Sequence, residues 1–346
     1  MAYSTINKST SFQNNVSYTG DGSTQAITGV GFQPDFIWLK STGTTYNYQT
    51  FNPLIGTDYS ITTNESAAKI SMSGVTAFGA DGFTLGTNSQ CNNNTTPYIS
   101  WNWKAGTTGS GTTTGSGTGK AYSYSVNTTS GFSVVTYKGN GSAGHTIPHH
   151  LGATPSFIIV KNMDAAQAWL VGTTPLGWTK NLHLNETGAV ETSSDIWNDT
   201  APSSTVFTVG TNSKCNSDDV DYIAYCFAEK VGYSKFGSYI GNGSTNGTFV
   251  YTGFSPNWVM IKETSGAGGW RVFDNLRPAF NSKYGLAVDS DAAQETATDR
   301  NKIDQLSNGF KLRFQYDDTN GSGSSYIYMA FGQPIISNGG VCATAR

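Results

Sequence analysis

The sequence predicts an all-β chain made of three tandem β-sandwich domains of jelly-roll or lectin-like type. The first observation is an internal repeat, because the same series of landmarks occurs three times in 346 residues. The second is periodicity: apolar residues occur at every position or every second position, as in strands, and not with the 3.6-residue period of a helix. The third is composition, since 41 glycines and only 12% charged residues suit short strands joined by turns.

Each copy of the repeat begins with a Tyr-x-Gly-Asp/Asn-Gly-Ser string and continues to a proline, which precedes an apolar run that ends in lysine. An aromatic residue follows eight positions after the lysine, and a Tyr-Ile strand closes the copy. The lysines are Lys40, Lys161 and Lys262, the aromatic residues are Tyr48, Trp169 and Trp270, and the closing tyrosines are Tyr98, Tyr222 and Tyr326. Landmarks that keep their order three times indicate three copies of one folding unit.

The apolar runs before the lysines predict strands that are covered on both faces, because they contain no alternating polar positions. The run in the first copy is Phe36-Ile-Trp-Leu-Lys40. The Gly-Asp/Asn-Gly strings predict hairpin turns, since these residues adopt a positive φ at low cost.

Copies of about 100 residues are long enough for a self-contained core. We therefore predict a first sandwich with an N-terminal arm at 1–104, a second at 122–231, and a third with a C-terminal tail at 232–346. The stretch 106–119 contains only Gly, Ser and Thr. This composition predicts a flexible linker over 105–121.

Charge and composition exclude several classes of protein. The net charge is −3 with no basic run, so we expect no nucleic-acid partner. No apolar run approaches the ~20 residues of a membrane span, and the polar N-terminus lacks the layout of a signal peptide. Four cysteines without close spacing predict neither a disulfide framework nor a zinc site. We expect no metal and no cofactor.

The chain offers few candidates for catalysis. It contains no G-x-S-x-G string, and none of its four histidines recurs between copies. The carboxylates of Glu65, Glu186, Glu191 and Glu295 lie in the variable part of each copy without a shared spacing. We expect no enzyme and no catalytic residues. A glycosidase pair needs only two carboxylates ~5–10 Å apart in space, so a glycan-degrading depolymerase is the last alternative.

Two tryptophans are the candidates for a binding site. Trp178 and Trp197 occur only in the variable part of the second copy, where they could stack on a sugar or anchor a buried loop. The Asp/Asn-rich strings at 218–221 and 317–322 could bind calcium, although solvated turns are the expectation. The histidines at 145, 149 and 150 lie in one loop, and we expect no metal there.

Several long strings resemble a family of repeat-built virion structural proteins from marine tailed phages, common in cyanophages. These strings are Met1-Ala-Tyr-Ser-Thr-Ile-Asn-Lys8, the block Gly31–Lys40, the block Tyr222–Gly237 and the linker motif Trp103-Lys-Ala-Gly106. The resemblance covers nearly the whole chain and implies a tail-fibre or particle surface protein without catalytic residues. The first copy lacks the Asp-Asn-x-Arg string that the third copy has at Asp274–Arg277.

The resemblance and the composition together lead to one expectation of function. We expect a non-enzymatic structural protein on the virion surface, made in the bacterial host cytoplasm, in a tail fibre or adhesin that attaches to the host. The alternative is a capsid or tail decoration protein with a role in assembly alone. The expected partners are other virion proteins, further copies of the chain in a homo-oligomer such as a trimer, and a host surface glycan.

Overall fold

The computed structural model describes residues 4–277, 285–295 and 303–335. Each repeat forms one large and one small antiparallel sheet, and the two sheets pack face to face around a core of their own. The chain is therefore all-β and built from sandwiches, as the sequence predicts.

The first repeat contains nine strands. They are β1 (Gln13–Thr19), β2 (Gln25–Ile27), β3 (Phe36–Ser41), β4 (Gln49–Phe51), β5 (Tyr59–Thr62), β6 (Ile70–Ser71), β7 (Val75–Gly79), β8 (Gly82–Leu85) and β9 (Pro97–Trp103). The large sheet has the order β1-β9-β3-β4-β5-β6, and the small sheet has the order β2-β8-β7.

The second repeat, with the segment before it, contains eleven strands. They are β10 (Thr107–Thr112), β11 (Thr114–Gly115), β12 (Ala121–Asn127), β13 (Phe132–Lys138), β14 (His145–Pro148), β15 (Phe157–Asn162), β16 (Leu170–Thr173), β17 (Lys180–His183), β18 (Glu191–Thr192), β19 (Val206–Val209) and β20 (Asp221–Phe227). The sheets are β10-β12-β13-β20-β15-β16-β17-β18 and β11-β14-β19.

The described part of the third repeat contains eight strands. They are β21 (Ser234–Ile240), β22 (Phe249–Tyr251), β23 (Phe254–Glu263), β24 (Trp270–Asp274), β25 (Leu286–Ala287), β26 (Ile303–Leu306), β27 (Gly309–Leu312) and β28 (Ser325–Pro334). The sheets are β21-β28-β23-β24-β25 and β22-β27-β26.

Helices are short throughout the described residues. The α-helices are α1 (Ser89–Asn92), α2 (Ser194–Trp197) and α3 (Asp317–Asn320), and 3-10 turns lie at Ser9–Ser11 and Thr174–Leu176. No helix in the described ranges is long and apolar enough to cross a membrane.

The apolar runs form strands covered on both faces, as predicted. All six residues of β3 and all six of β15 are buried. In β3, Ile37 and Leu39 face the core between the two sheets of the first repeat, and Phe36 and Trp38 face a second core. This second core also contains residues of the other two repeats, among them Tyr225 and Trp258.

The shared core is aromatic. The ring of Phe36 lies 4.2 Å from the ring of Tyr225, and the rings of Trp103 and Trp258 meet edge to face at 5.3 Å. Each large sheet is thus packed on both sides, once within its repeat and once against the other repeats. The boundaries at 104, 121 and 231 stay predictions, and the three sandwiches are joined by a common apolar core.

The predicted flexible linker is ordered, which corrects the expectation for 105–121. Strand β10 pairs with β12 over six residue pairs, and β11 pairs with β14. Gly109 lies opposite Tyr124 and Gly111 lies opposite Tyr122, and a Cβ at either glycine would be within 3 Å of the facing tyrosine ring. The tyrosine rings cover the glycines, so pairing and ring packing overcome the low intrinsic preference of glycine for strands.

The Gly-Asp/Asn-Gly strings are connections between sheets and not hairpin turns. The string in the first repeat, 20–22, joins β1 to β2, but β1 pairs with β9 and β2 pairs with β8. The positive φ of 73° at Gly22 fits the glycine expected there.

Candidate functional site

The structure places Trp178 and Trp197 in the interior of the second repeat. Trp197 is 0% exposed and Trp178 is 8% exposed, and their rings meet edge to face at 5.5 Å. Both rings lie on Gly172, where a Cβ would be less than 3 Å from them. Neither ring has a free face for a sugar, so the expectation of sugar stacking is corrected: the two residues anchor a buried loop.

The loop histidines point in different directions. The ring of His145 is buried, with its nitrogens 2.9 Å from Asn216 Oδ1 and 2.6 Å from Thr113 Oγ1. The ring of His150 stacks on Tyr124 at 3.6 Å. Burial lowers the pKa of His149 to about 4. Within residues 4–277, 285–295 and 303–335, no three His, Cys, Asp or Glu side chains form a group that could hold a metal ion.

The three landmark lysines form the clearest polar arrangement that recurs in every repeat. Each is 0% exposed and donates a hydrogen bond of 2.6 Å to the carbonyl of the residue six positions later in its own repeat. The acceptor carbonyls belong to Tyr46, Gln167 and Gly268.

Each of these lysines also donates to a main-chain carbonyl of a different repeat. Lys40 Nζ lies 2.9 Å from Asp291 O in the third repeat. Lys161 Nζ lies 2.7 Å from Ser66 O in the first repeat. Lys262 Nζ lies 3.0 Å from Thr187 O in the second repeat. The contacts therefore form a closed cycle. The lysine of each repeat donates to one of the other two repeats, and each repeat accepts a lysine bond from the remaining one.

The accepting segments are repeated as well, which the sequence analysis missed. We call 66–69, 187–190 and 291–294 the strap segments. Each strap also donates a hydrogen bond back to the repeat that contains the lysine. The donor is the main-chain N–H three residues after the carbonyl that accepts from the lysine, and the acceptor is the carbonyl two residues after that lysine. These bonds are Lys69 N to Met163 O at 2.9 Å, Val190 N to Thr264 O at 3.2 Å, and Gln294 N to Thr42 O at 3.0 Å. The available signal was the residues Ser66-Ala-Ala-Lys69, Thr187-Gly-Ala-Val190 and Asp291-Ala-Ala-Gln294.

Burial lowers the pKa of each of these three lysines to about 8, because desolvation disfavours the ammonium form. A lysine with a lowered pKa can act as a nucleophile or base if a substrate reaches it. These side chains are fully covered and directed at main-chain carbonyls, so this arrangement joins repeats and offers no reactive surface.

A second recurring arrangement fixes the Gly-Asp/Asn-Gly strings. In the second repeat, Asn216 Oδ1 accepts from Asn140 N at 2.9 Å, and Asn216 Nδ2 donates to the carbonyls of Ser142 and Gly210. Asn92 and Asn320 make the same contacts in their repeats, and all three asparagines are buried. Their signal in the sequence was an asparagine six residues before each closing tyrosine.

The Asp274–Arg277 string, specific to the third repeat, contacts the first repeat. Asp274 Oδ2 accepts from the Trp101 indole at 3.0 Å and from Arg277 Nε at 2.7 Å. Arg277 lies over the Trp101 ring at 5.9 Å.

An open groove of about 300 Å³ lies between the first and second repeats. Its wall comes from the first repeat, with Leu54, Ile55 and Tyr59. Its floor comes from β12, β13 and β20 of the second repeat, with Ala121, Ser123, Thr136, Lys138 and Asp221. Two ion pairs border it, Lys138 with Asp221 at 2.8 Å and Lys69 with Asp164 at 3.2 Å.

Residues 8–334 match the family described as Domain of unknown function (DUF7483), and the chain belongs to that family. The match extends through all three repeats and the segment between the first two. No curated protein matches the chain, and no solved structure matches it.

Proposed function

We propose that the chain is a non-enzymatic structural protein of a tailed-phage virion, in a tail fibre or adhesin that attaches the particle to the host surface. The resemblance of its long motifs to virion proteins of marine tailed phages supports the proposal. Its partners are other virion proteins, further copies of the chain and a host glycan. It is made in the host cytoplasm and exposed on the particle.

One observation carries the structural role: the lysine and asparagine side chains that recur three times bond to the protein itself. The lysines donate to carbonyls across the repeats, and the asparagines hold the connections between sheets. A repeat whose recurrent polar groups are used internally suits a rigid block, and variable surface residues are then free to provide recognition.

The test is to image intact virions of the encoding phage by cryo-electron microscopy with gold-labelled antibody against the chain. Label at the tail tip or along fibres is the expected result. Absence of the chain from purified particles, with its presence in infected cells, would overturn the proposal.

A role in assembly alone is the second candidate, and one observation favours it. Ile240 at the end of β21 is 56% exposed, and Phe249 and Tyr251 of β22 are 43% and 55% exposed. Thr248 Oγ1 donates to Ile240 O at 2.8 Å and Lys235 Nζ to Tyr251 O at 3.1 Å, which holds these strands together. Exposed apolar side chains of this kind suit contact with another subunit. Gold label spread over the capsid shell would favour this candidate.

A further inference from the structure

We propose that the groove between the first and second repeats binds a neutral oligosaccharide, with Tyr59 as the stacking platform and the floor of β12, β13 and β20 as the hydrogen-bonding surface. This inference rests on the proposed host-surface role and names the site and ligand class for it.

The groove exists because the second repeat has a wider sheet than the other two. Strand β13 corresponds to β1 and β21, which lie at the edges of their large sheets, but β13 is followed outward by β12 and β10. The added strands extend the sheet surface beyond the wall of the first repeat. The Gly/Ser/Thr-rich segment before β12 thereby gains a role, since it covers the edge of β12 that would otherwise be unpaired.

The floor offers hydroxyl and charged groups in register. Ser123 lies opposite Thr136 on neighbouring strands, and both side chains are partly exposed with no hydrogen-bond partner in the described chain. In the next row, Lys138 lies opposite Asp221. The small side chain of Ala121 leaves the space above this row open.

The wall offers the apolar surface that a pyranose ring requires. Tyr59 is 39% exposed, Leu54 and Ile55 are partly buried beside it, and Lys69 Nζ lies 5.7 Å from the centre of the Tyr59 ring. A sugar ring has an apolar face that can stack on an aromatic side chain and hydroxyls at its rim that need polar partners. The wall and the floor supply these two surfaces within one groove.

The charge balance selects a neutral ligand. Both lysines of the groove are paired with carboxylates, Lys138 with Asp221 and Lys69 with Asp164. A phosphate or carboxylate ligand would find no unpaired cation among the described lining residues and would face the carboxylate of Asp221. A wholly apolar ligand would cover the hydroxyls of Ser123 and Thr136 without bonding to them, which is costly. A volume of about 300 Å³ is at the small end of ligand sites and fits one or two sugar rings.

The experiment applies the full chain to an array of neutral and acidic oligosaccharides that includes maltotriose, cellotriose and triacetylchitotriose. The variants are Tyr59→Ala, which removes the platform, and Ala121→Trp, which fills the groove from the floor. Tyr251→Ala is the matched control, because Tyr251 is also an exposed tyrosine with a lysine over its ring, at 5.4 Å, but lies in the third repeat.

We expect the unmodified chain and Tyr251→Ala to bind at least one neutral oligosaccharide with equal affinity, and the two groove variants to bind it about tenfold more weakly or not at all. Binding of acidic oligosaccharides only, of none, or binding that both groove variants retain would overturn the inference. If the chain is found on virions but binds no oligosaccharide on the array, the proposed binding site is rejected and the proposed function stands. If the chain binds an oligosaccharide through Tyr59 but is absent from virions, the binding site stands and the proposed function is rejected.

Discussion

The ammonium group of Lys161 donates to the carbonyl of Ser66 across the junction of the second and first repeats, at 2.7 Å. The same group donates to Gln167 O at 2.6 Å within its own repeat. One side chain therefore ties two segments that are about 100 residues apart in the chain to each other. Because Lys40 and Lys262 do the same at the other two junctions, the three sandwiches are joined in a cycle.

Replacing Lys161 by Ala should lower the free energy of unfolding by about 1–3 kcal/mol, because it leaves the part-buried carbonyls of Ser66 and Gln167 without this donor. Part of the loss is offset, since the variant no longer buries a charge. The measurement is urea unfolding at pH 7. Lys138→Ala is the control, since Lys138 forms a partly exposed ion pair with Asp221 and its loss should cost less than about 1 kcal/mol. Equal effects of the two substitutions would contradict the role given to Lys161.

The contribution of Lys161 to stability should increase as pH rises. The folded chain releases the proton of Lys161 near its lowered pKa of about 8, and the unfolded chain keeps it until about 10.5. Between these values the unfolded state binds more protons, so stability increases with pH. We expect the unfolding free energy of the unmodified chain minus that of Lys161→Met to increase from pH 7 to pH 10. A difference that stays constant or shrinks would show that the lysine is not desolvated.

The buried thiols should lower the stability of the fold as pH rises, which is opposite to the effect of Lys161. Burial raises the pKa of Cys226 well above its ordinary value near 9. The unfolded chain therefore loses this proton first as pH rises, and the stability present below pH 9 decreases above it. We expect Cys226→Ala to lessen the loss of stability between pH 8.5 and 10. Chemical unfolding at these pH values measures the effect, and an unchanged pH dependence would count against it.

Asn216 should be among the most sensitive polar residues. Asn216→Ala removes the partner of Asn140 N and of two carbonyls, and we expect a loss of about 2–3 kcal/mol. Asn94→Ala is the control, because Asn94 is exposed and its replacement should change stability by no more than about 0.5 kcal/mol. Rapid hydrogen exchange at the Asn140 amide in Asn216→Ala would accompany the loss. Slow exchange there would refute the assigned role.

Tyr48 and Tyr137 should respond differently to loss of their hydroxyls. Tyr48 Oη is buried with no hydrogen-bond partner among the residues that the structure describes, while Tyr137 Oη donates to Cys215 O at 2.7 Å. Tyr48→Phe should leave stability unchanged or raise it slightly, and Tyr137→Phe should lower it by about 1 kcal/mol. The two variants are compared by thermal unfolding. A loss in Tyr48→Phe as large as that in Tyr137→Phe would contradict the contacts described.

Some features of the fold could be predicted from the sequence because side chains carry the signal. The run Phe36-Ile-Trp-Leu-Lys40 is apolar on both faces, and β3 is covered on both faces. Strand β10 could not be predicted, and the strap segments leave only a weak signal in three aligned strings, because both are held by main-chain bonds and by the side chains of other strands. Ser66-Ala-Ala-Lys69 offers no pattern of its own, and Gly109 becomes part of a strand only when Tyr124 covers it.

The candidate sites, too, could be predicted from the sequence only in part, because they depend on contacts between separate segments. Trp178 and Trp197 stood out because they belong to one copy, but their burial depends on Gly172 in β16, which leaves room for both rings in the core. The groove was missed because its floor comes from the second repeat and its wall from the first. Its residues have no common spacing in the sequence, and only the packing of the two repeats brings them together.

The three repeats form one interlocked body, and calorimetric unfolding of the full chain is the sharpest test of this arrangement. We expect one transition whose calorimetric enthalpy equals its van't Hoff enthalpy, because no repeat can leave the shared core without exposing the other two. Two or three separate transitions, each with the enthalpy of about 100 residues, would show that the sandwiches unfold independently and are not interlocked.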